Sequence, residues 1–225
     1  KDSLGYITTA LRNITLHSSL IQFVADINYP LAEYAIDLAY RSFHDESILV
    51  LCVASLYNST KNSTTIKPLY SHKNVEKIIG IMKRAKTPRV DELCLATLQN
   101  VTHAFESAGK IYKQGGAIEE LVELAMSKDD NTRSLAVSVL CTLTFDKSNA
   151  ENLVKENTLE TLVEVARTSN SNAPRVAAAF NNFSCIFKGK YINKLIDETI
   201  NTVLNFLLSN LFISNAKEVF PVPPV

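Results

Sequence analysis

The sequence of 225 residues contains no tryptophan, only six glycines and only seven prolines. So little glycine and proline leaves few places for tight hairpins or glycine-rich ligand loops, and favours an all-helical chain. No run of 18 apolar residues occurs, so no membrane-spanning helix and no direct membrane insertion are expected. The longest apolar stretch, residues 48–57, is of core-helix length and is interrupted by Ser55. Neither sign of charge is in excess, with 23 basic and 23 acidic residues. That balance provides no electrostatic footprint for nucleic acid or an anionic membrane surface.

The chemistry-bearing residues are equally sparse. The histidines, His17, His44, His72 and His103, form no HExxH and stand beside no nucleophile motif. There is no Walker loop and no GxGxxG. The carboxylate pairs Glu119-Glu120 and Asp129-Asp130 read as a solvated helix face and a connector. Cysteines stand at 52, 94, 141 and 185, without a CxxC and without a neighbouring His/Cys cluster. Reduced, buried thiols acting as core fillers are the expectation. No catalytic residue, cofactor or metal is expected, and a cytoplasmic location follows from the reduced thiols and the lack of a signal-peptide pattern after Lys1.

Against these absences, one period runs through the chain. Leu-x-Asn occurs at Leu11-Arg12-Asn13, Leu56-Tyr57-Asn58 and Leu98-Gln99-Asn100. Leu140-Cys141-Thr142 and Phe180-Asn181-Asn182 occupy the next two places, so the steps are 45, 42, 42 and 40 residues. Two residues later a hydroxyl follows each time: Thr15, Thr60, Thr102, Thr144 and Ser184. Six residues before lie Ile7, Cys52, Cys94, Ala136 and Val176. Apolar residues at −6, −5, −2 and +1 trace one face of a helix.

A second stripe keeps the same period. It runs through Ala32, Ala35 and Ile36, then Val75, Ile78 and Ile79, then Ile118, Leu121 and Val122. Leu159, Leu162 and Val163, and finally Ile200, Val203 and Leu204, continue it. Pro88 and Pro174 mark the starts of third helices, where proline suits the first turn. Residues 128–131 and 169–172 are polar connectors with N-cap residues. Gly115-Gly116 breaks the chain before the helix at Ile118. A short apolar segment precedes each second helix (Ile111 and Tyr112, or Leu153 and Val154), which predicts a three-helix unit of about 42 residues.

The string Gly115-Gly116-Ala117-Ile118-Glu119-Glu120-Leu121-Val122-Glu123-Leu124 resembles the second-helix motif of the armadillo-repeat family. Ala96-Thr97-Leu98-Gln99-Asn100-Val101 is similar to its third-helix motif. HEAT repeats are the nearest competitor, and the Gly-Ala-Ile signature and the Asn row argue against them. The resemblance implies an all-α, right-handed α-α superhelix of about five repeats over residues 1–215, the first and last atypical. The sequence opens inside a third helix (3–15) and closes after a second helix (199–208). Residues 216–225 are expected to be an extended Pro-rich tail or linker, within which 220–225 cannot be helical.

The resemblance also implies a function: a scaffold or adaptor whose third helices line a concave groove and bind an extended segment of a partner protein. The row would be Asn13, Asn58, Asn100, Thr142 and Asn182, since an amide offers both a donor and an acceptor to a peptide backbone. Thr142 breaks the row. Tyr57 and Phe145 stand beside it as candidate anchors, whereas Phe183 falls on the core side. Any single one of these asparagines reads more readily as a bond that holds repeat to repeat, while the row as a whole favours the groove. The alternative function is an architectural or regulatory subunit, cytoskeletal or ciliary for example, that makes contact through convex faces and loops.

Importin-α-like proteins place Trp four residues before the Asn. Here Thr9, Ala54, Ala96, Ser138 and Ala178 stand there, which disfavours nuclear-localisation signals. Arg89, Arg133 and Arg175 lie near third-helix starts but share no repeat position, so a basic groove of the β-catenin-like kind for acidic partners stays open as the lesser alternative.

Overall fold

The computed structural model describes residues 2–187, apart from 43, 106–111, 113–115 and 170. Among the described residues there are eleven α-helices and no strand. They are α1 (Asp2–Leu16), α2 (Ser18–Asp26), α3 (Leu31–Arg41), α4 (Glu46–Ser59), α5 (His72–Ala85) and α6 (Pro88–Ala104). Then follow α7 (Ala117–Ala125), α8 (Asp130–Leu143), α9 (Lys147–Lys155), α10 (Thr158–Thr168) and α11 (Ala173–Phe187). The predicted helix at 199–208 and the Pro-rich tail lie outside the described residues.

Two rows of helices carry the architecture. The third helices α1, α4, α6, α8 and α11 pack in succession, and so do the second helices α3, α5, α7 and α10. Each second helix also packs on its own third helix, α3 on α4, α5 on α6, α7 on α8 and α10 on α11. The core is the seam between the rows, filled from one side by Ile36, Ile78, Leu121 and Leu162 and from the other by Leu56, Leu98 and Leu140, all fully buried. Since each unit covers only its neighbours' faces, stability arises from the interfaces between repeats.

The −6 slot shows why small residues recur. Cys52, Cys94, Ala136 and Val176 are completely buried where the two rows approach. Burial pushes the Cys52 thiol up to about 12 and the Cys141 thiol to about the same value, and raises Cys94 as well. These three thiols are un-ionised at neutral pH and serve as packing groups, whereas Cys185, expected to be buried with them, is exposed on α11. Ile7 occupies the same slot but is 59% exposed. The reason is local: among the described residues no second helix packs on α1.

Turn chemistry sets the boundaries. Asp45, Ser71 and Asp129 cap α4, α5 and α8, accepting from the N–H of Ile48, Asn74 and Thr132. Gly116 precedes α7 at φ +68°, and a Cβ there would meet Lys83 Nζ at 3.4 Å and Glu119 Oε2 at 3.3 Å. Asn157 holds the equivalent left-handed place before α10, at φ +55°. Asparagine is the residue after glycine that best tolerates this conformation, which explains how the α10 repeat dispenses with the glycine.

Among the described residues, the expected three-helix unit is incomplete after α4. Between α4 and α5 the first helix shrinks to a 3₁₀ turn, Lys67–Leu69. Asn62 Oδ1 accepts from the N–H of Thr64 at 2.8 Å and of Thr65 at 3.1 Å, and this turn competes with helix. Pro68 then prevents a longer helix. Leu69 still reaches the core, fully buried.

Candidate functional site

The row of third helices brings the predicted side chains into one line and shows what they do there. Asn58 Nδ2 donates to Thr15 Oγ1 at 3.4 Å, Asn100 Nδ2 to Thr60 Oγ1 at 2.6 Å, and Asn182 Nδ2 to Thr144 Oγ1 at 2.8 Å. Every acceptor belongs to the preceding repeat. Each of those hydroxyls in turn donates to a carbonyl three residues back in its own chain segment: Thr15 to Arg12 (2.8 Å), Thr60 to Tyr57 (2.6 Å) and Thr144 to Cys141 (2.5 Å). The hydroxyl proton is thus fixed by local backbone, and the oxygen lone pairs are left to the next repeat's amide. Asn-x-Thr is therefore a clasp whose threonine reaches forward and whose asparagine reaches back.

The break at Thr142 follows the same logic. A threonine is too short to span the gap, and Thr142 Oγ1 donates to Ser138 O of its own helix at 2.8 Å. Thr102, left without its amide, turns to the interior. Its hydroxyl lies 2.9 Å from Tyr112 Oη and donates to Leu98 O at 2.6 Å. Tyr112 is almost fully buried, and burial raises its phenol pKa, with the Thr102 hydrogen bond opposing that shift. At this step other side chains link the repeats: Gln99 Nε2 to Ser138 Oγ at 2.8 Å, and Asn131 Nδ2 to Glu92 Oε1 at 3.0 Å. One step further, Ser134 Oγ donates to Asn172 Oδ1 at 3.2 Å, and Arg175 Nη1 donates to both Ser134 and Asn172 at 3.2 Å. Sequence reasoning did not find these links, because they sit off the repeat's marker positions.

The remaining predicted residues are placed as follows. Asn13 is exposed on α1, Asn58 is buried, and Asn100 and Asn182 are half-buried. Tyr57 is half-buried, with Lys61 Nζ 4.9 Å from its ring centroid. Phe145 is 72% exposed just beyond α8, whereas Phe183 is buried. At the positions four residues before the row, Ala54 and Ala96 are half-buried, Ser138 is buried, and Thr9 and Ala178 are exposed. These short side chains leave the surface beside the amides open.

Two cavities lie away from the row. One, of about 540 Å³, sits between α5, α6 and α7 and is lined by Lys83, Lys86, Asp91 and Glu120 among others. Burial, and then the Glu120 charge, push Asp91 up to about 6. Burial raises Glu120 too, opposed by Lys83, whose Nζ is 3.6 Å from Glu120 Oε2. The other, of about 330 Å³, lies between the α2–α3 turn and residues 64–68. Among the described residues no cluster of three or more His, Cys, Asp or Glu is placed to hold a metal ion. No described helix is long and apolar enough to cross a membrane.

No family model and no curated protein matches the sequence. Solved structures do match. A set of computationally designed armadillo repeat proteins for modular peptide recognition superposes with a TM-score of 0.69 at 16% identity, over 91% of this chain and 92% of that one. A designed armadillo repeat protein in complex with the peptide (KR)4 gives 0.68 at 15% identity, over 91% and 90%. An engineered protein gives 0.65 at 18% identity, over 89% and 87%. At such identities the likeness speaks for the fold alone, and the fold is that of an armadillo-type repeat solenoid.

Proposed function

We propose that this chain is a protein-interaction scaffold that holds an extended partner segment along the row α1, α4, α6, α8 and α11, and that it has no catalytic role. The observation that carries the reading is the amide row. Whereas Asn58 is buried, Asn100 and Asn182 are half-buried and each use one N–H in their clasp, and an amide has a second N–H and a carbonyl oxygen besides. Those two groups match the donor and acceptor of a peptide unit, and the short side chains beside them admit a backbone. Tyr57 and the exposed Phe145 offer anchoring surface on the same row. Two of the similar structures are designed armadillo proteins, one set made for peptide recognition and one protein solved with a bound peptide, and this supports a peptide as the ligand class here.

A second reading, contact through other faces, is favoured by Phe23 at 60%, Ile27 at 55% and Tyr34 at 56% exposure on the α2–α3 side. One pull-down separates the two. The wild-type chain is compared with Asn58→Ala/Asn100→Ala and with Thr15→Ala/Thr60→Ala, all checked by circular dichroism. The threonine pair breaks the same clasps but keeps both amides. A partner lost with the asparagine pair and kept with the threonine pair is held by the row. A partner kept by both pairs binds elsewhere, and a partner lost equally with both depends on the clasp and not on the amides.

A further inference from the structure

Large apolar side chains left in water are not spread evenly over the solenoid. The described residues include eleven of them, and nine lie within residues 6–40. Six fall on or beside the first two helices: Tyr6, Ile7 and Leu16 on α1, and Leu20, Phe23 and Ile27 along α2 and at its end. Each is between 43% and 77% exposed. Leu20, Phe23 and Ile27 recur at helical spacing and form one stripe on the outer side of α2, while Ile21, Val24 and Ala25 are buried on its inner side. A helix that is apolar on both sides is normally covered on both. α1 packs against α2 and has an uncovered row of its own, because Ile7 stands in the slot that is completely buried in α4, α6, α8 and α11. The two uncovered stripes therefore share one end of the described solenoid.

The area and the charge of this face narrow what covers it. At about 200 Å² for a large side chain, the six leave roughly 600–700 Å² of apolar surface in water. A monomer's largest apolar patch is typically about 300–600 Å², and a stable interface takes about 800 Å² from each partner. From residue 13 to residue 40 there is no Lys and no Arg, only Asp26, Glu33 and Asp37 among charged groups. An anionic bilayer, a nucleic acid or an acidic protein would meet only repulsion there. Asp37 is already paired with Lys77 and Asp26 accepts from Gln22 Nε2 at 2.7 Å, so a basic partner finds few counter-charges. A weakly charged apolar face is complementary to itself, and a two-fold axis sets stripe against stripe without any charge match. Two copies together would remove roughly 1,200–1,400 Å² from water, which is within the range of specific, stable interfaces.

We propose that the outer face of α1 and α2 is a homodimer interface, on which a second copy of this chain lays the same two stripes about a two-fold axis. The dimer does not rest on the function proposed for the amide row.

The test is sedimentation equilibrium of the full chain from about 1 to about 200 µM, under reducing conditions that keep the exposed Cys185 from cross-linking copies. The mass is expected to rise to that of two copies and to stop there. Phe23→Asp and Ile27→Asp each set a charge in the apolar interface, and each is expected to weaken the dimer at least about tenfold. Tyr6→Asp, on the other helix, is expected to do the same, and it keeps the test decisive if an α2 variant does not fold. Met126→Asp, at an exposed apolar position outside this face, is expected to leave the dimer unchanged. A monomer over the whole range overturns the assignment. So does a mass that rises past two copies, which marks a head-to-tail contact. A dimer that the folded α1 and α2 variants leave unchanged, or that Met126→Asp weakens as much, overturns it too.

Discussion

The clasp between Asn100 and Thr60 is short, crosses a repeat boundary and has a built-in control, so it is the perturbation to make first. Asn100→Ala removes a 2.6 Å hydrogen bond to a hydroxyl that is itself buried. Such a bond contributes about 1 kcal/mol net, which corresponds to a Tm drop of about 2–4 °C in a chain of this size. Thr60→Ala loses the same bond and also the 2.6 Å bond to Tyr57 O, so it is expected to destabilise more. The pairwise term is isolated by a double-mutant cycle, read by urea unfolding followed by circular dichroism. A coupling of about 0.5–1.5 kcal/mol is expected. Asn58 with Thr15, at 3.4 Å, should couple less strongly. The control is the pair Thr142 and Thr102, which hold the equivalent places but bond Ser138 O and Tyr112 instead. Their coupling should be near zero. If Asn100 and Thr60 couple no more than Thr142 and Thr102 do, the asparagine row does not hold repeat to repeat.

Two further outcomes follow from the buried groups. Asp91 is pushed up to about 6 from an ordinary 3.8 by burial and by Glu120, so the folded chain binds its proton more tightly than the unfolded chain. Its contribution to stability is therefore fully present below about pH 4 and is lost as pH rises through about 6. Asp91→Asn should raise stability at pH 7.5 by about 1 kcal/mol once solvent screening is allowed for, and should flatten the pH dependence between 4 and 6; thermal unfolding at both ends of that range checks it. Tyr112→Phe deletes a buried hydroxyl that lies 2.9 Å from Thr102 Oγ1 and 3.2 Å from Leu98 O. A loss of about 1 kcal/mol is expected, and the same change made with Thr102→Ala should be less than additive in urea unfolding.

What was legible in the sequence is what repeats. The period placed the third-helix and second-helix rows, the proline starts at Pro88 and Pro174, and the cysteines as core fillers at Cys52 and Cys94. All of these follow from which face of a helix must be apolar, and that is written in spacing alone. The reduction of the first helix between α4 and α5 was not read, because there the deciding interaction is a local side-chain bond from Asn62, which overrides an apolar pattern carried by Ile66 and Leu69. The exposure of Ile7 was not read either. An apolar residue at a core position is buried only if a neighbouring helix covers it, and spacing does not report the neighbour.

The hydroxyl row is the more instructive case. Thr15, Thr60, Thr102 and Thr144 were visible as a marker, yet spacing alone assigns them no partner. Their role emerges only when Thr15, Thr60 and Thr144 are each seen to donate backward into their own segment and accept forward from the next repeat. That arrangement makes the amide row depend on an order that runs one way along the solenoid. Deleting an asparagine affects its own step alone, while deleting a threonine affects both its helix end and the step that follows. It also explains why the break at Thr142 does not propagate. Thr102 is rescued by Tyr112, and Asn182 still finds Thr144, because the hydroxyl of the broken repeat is two residues away from the substitution. An amide row can therefore lose one member at Thr142 and keep its clasps on both sides.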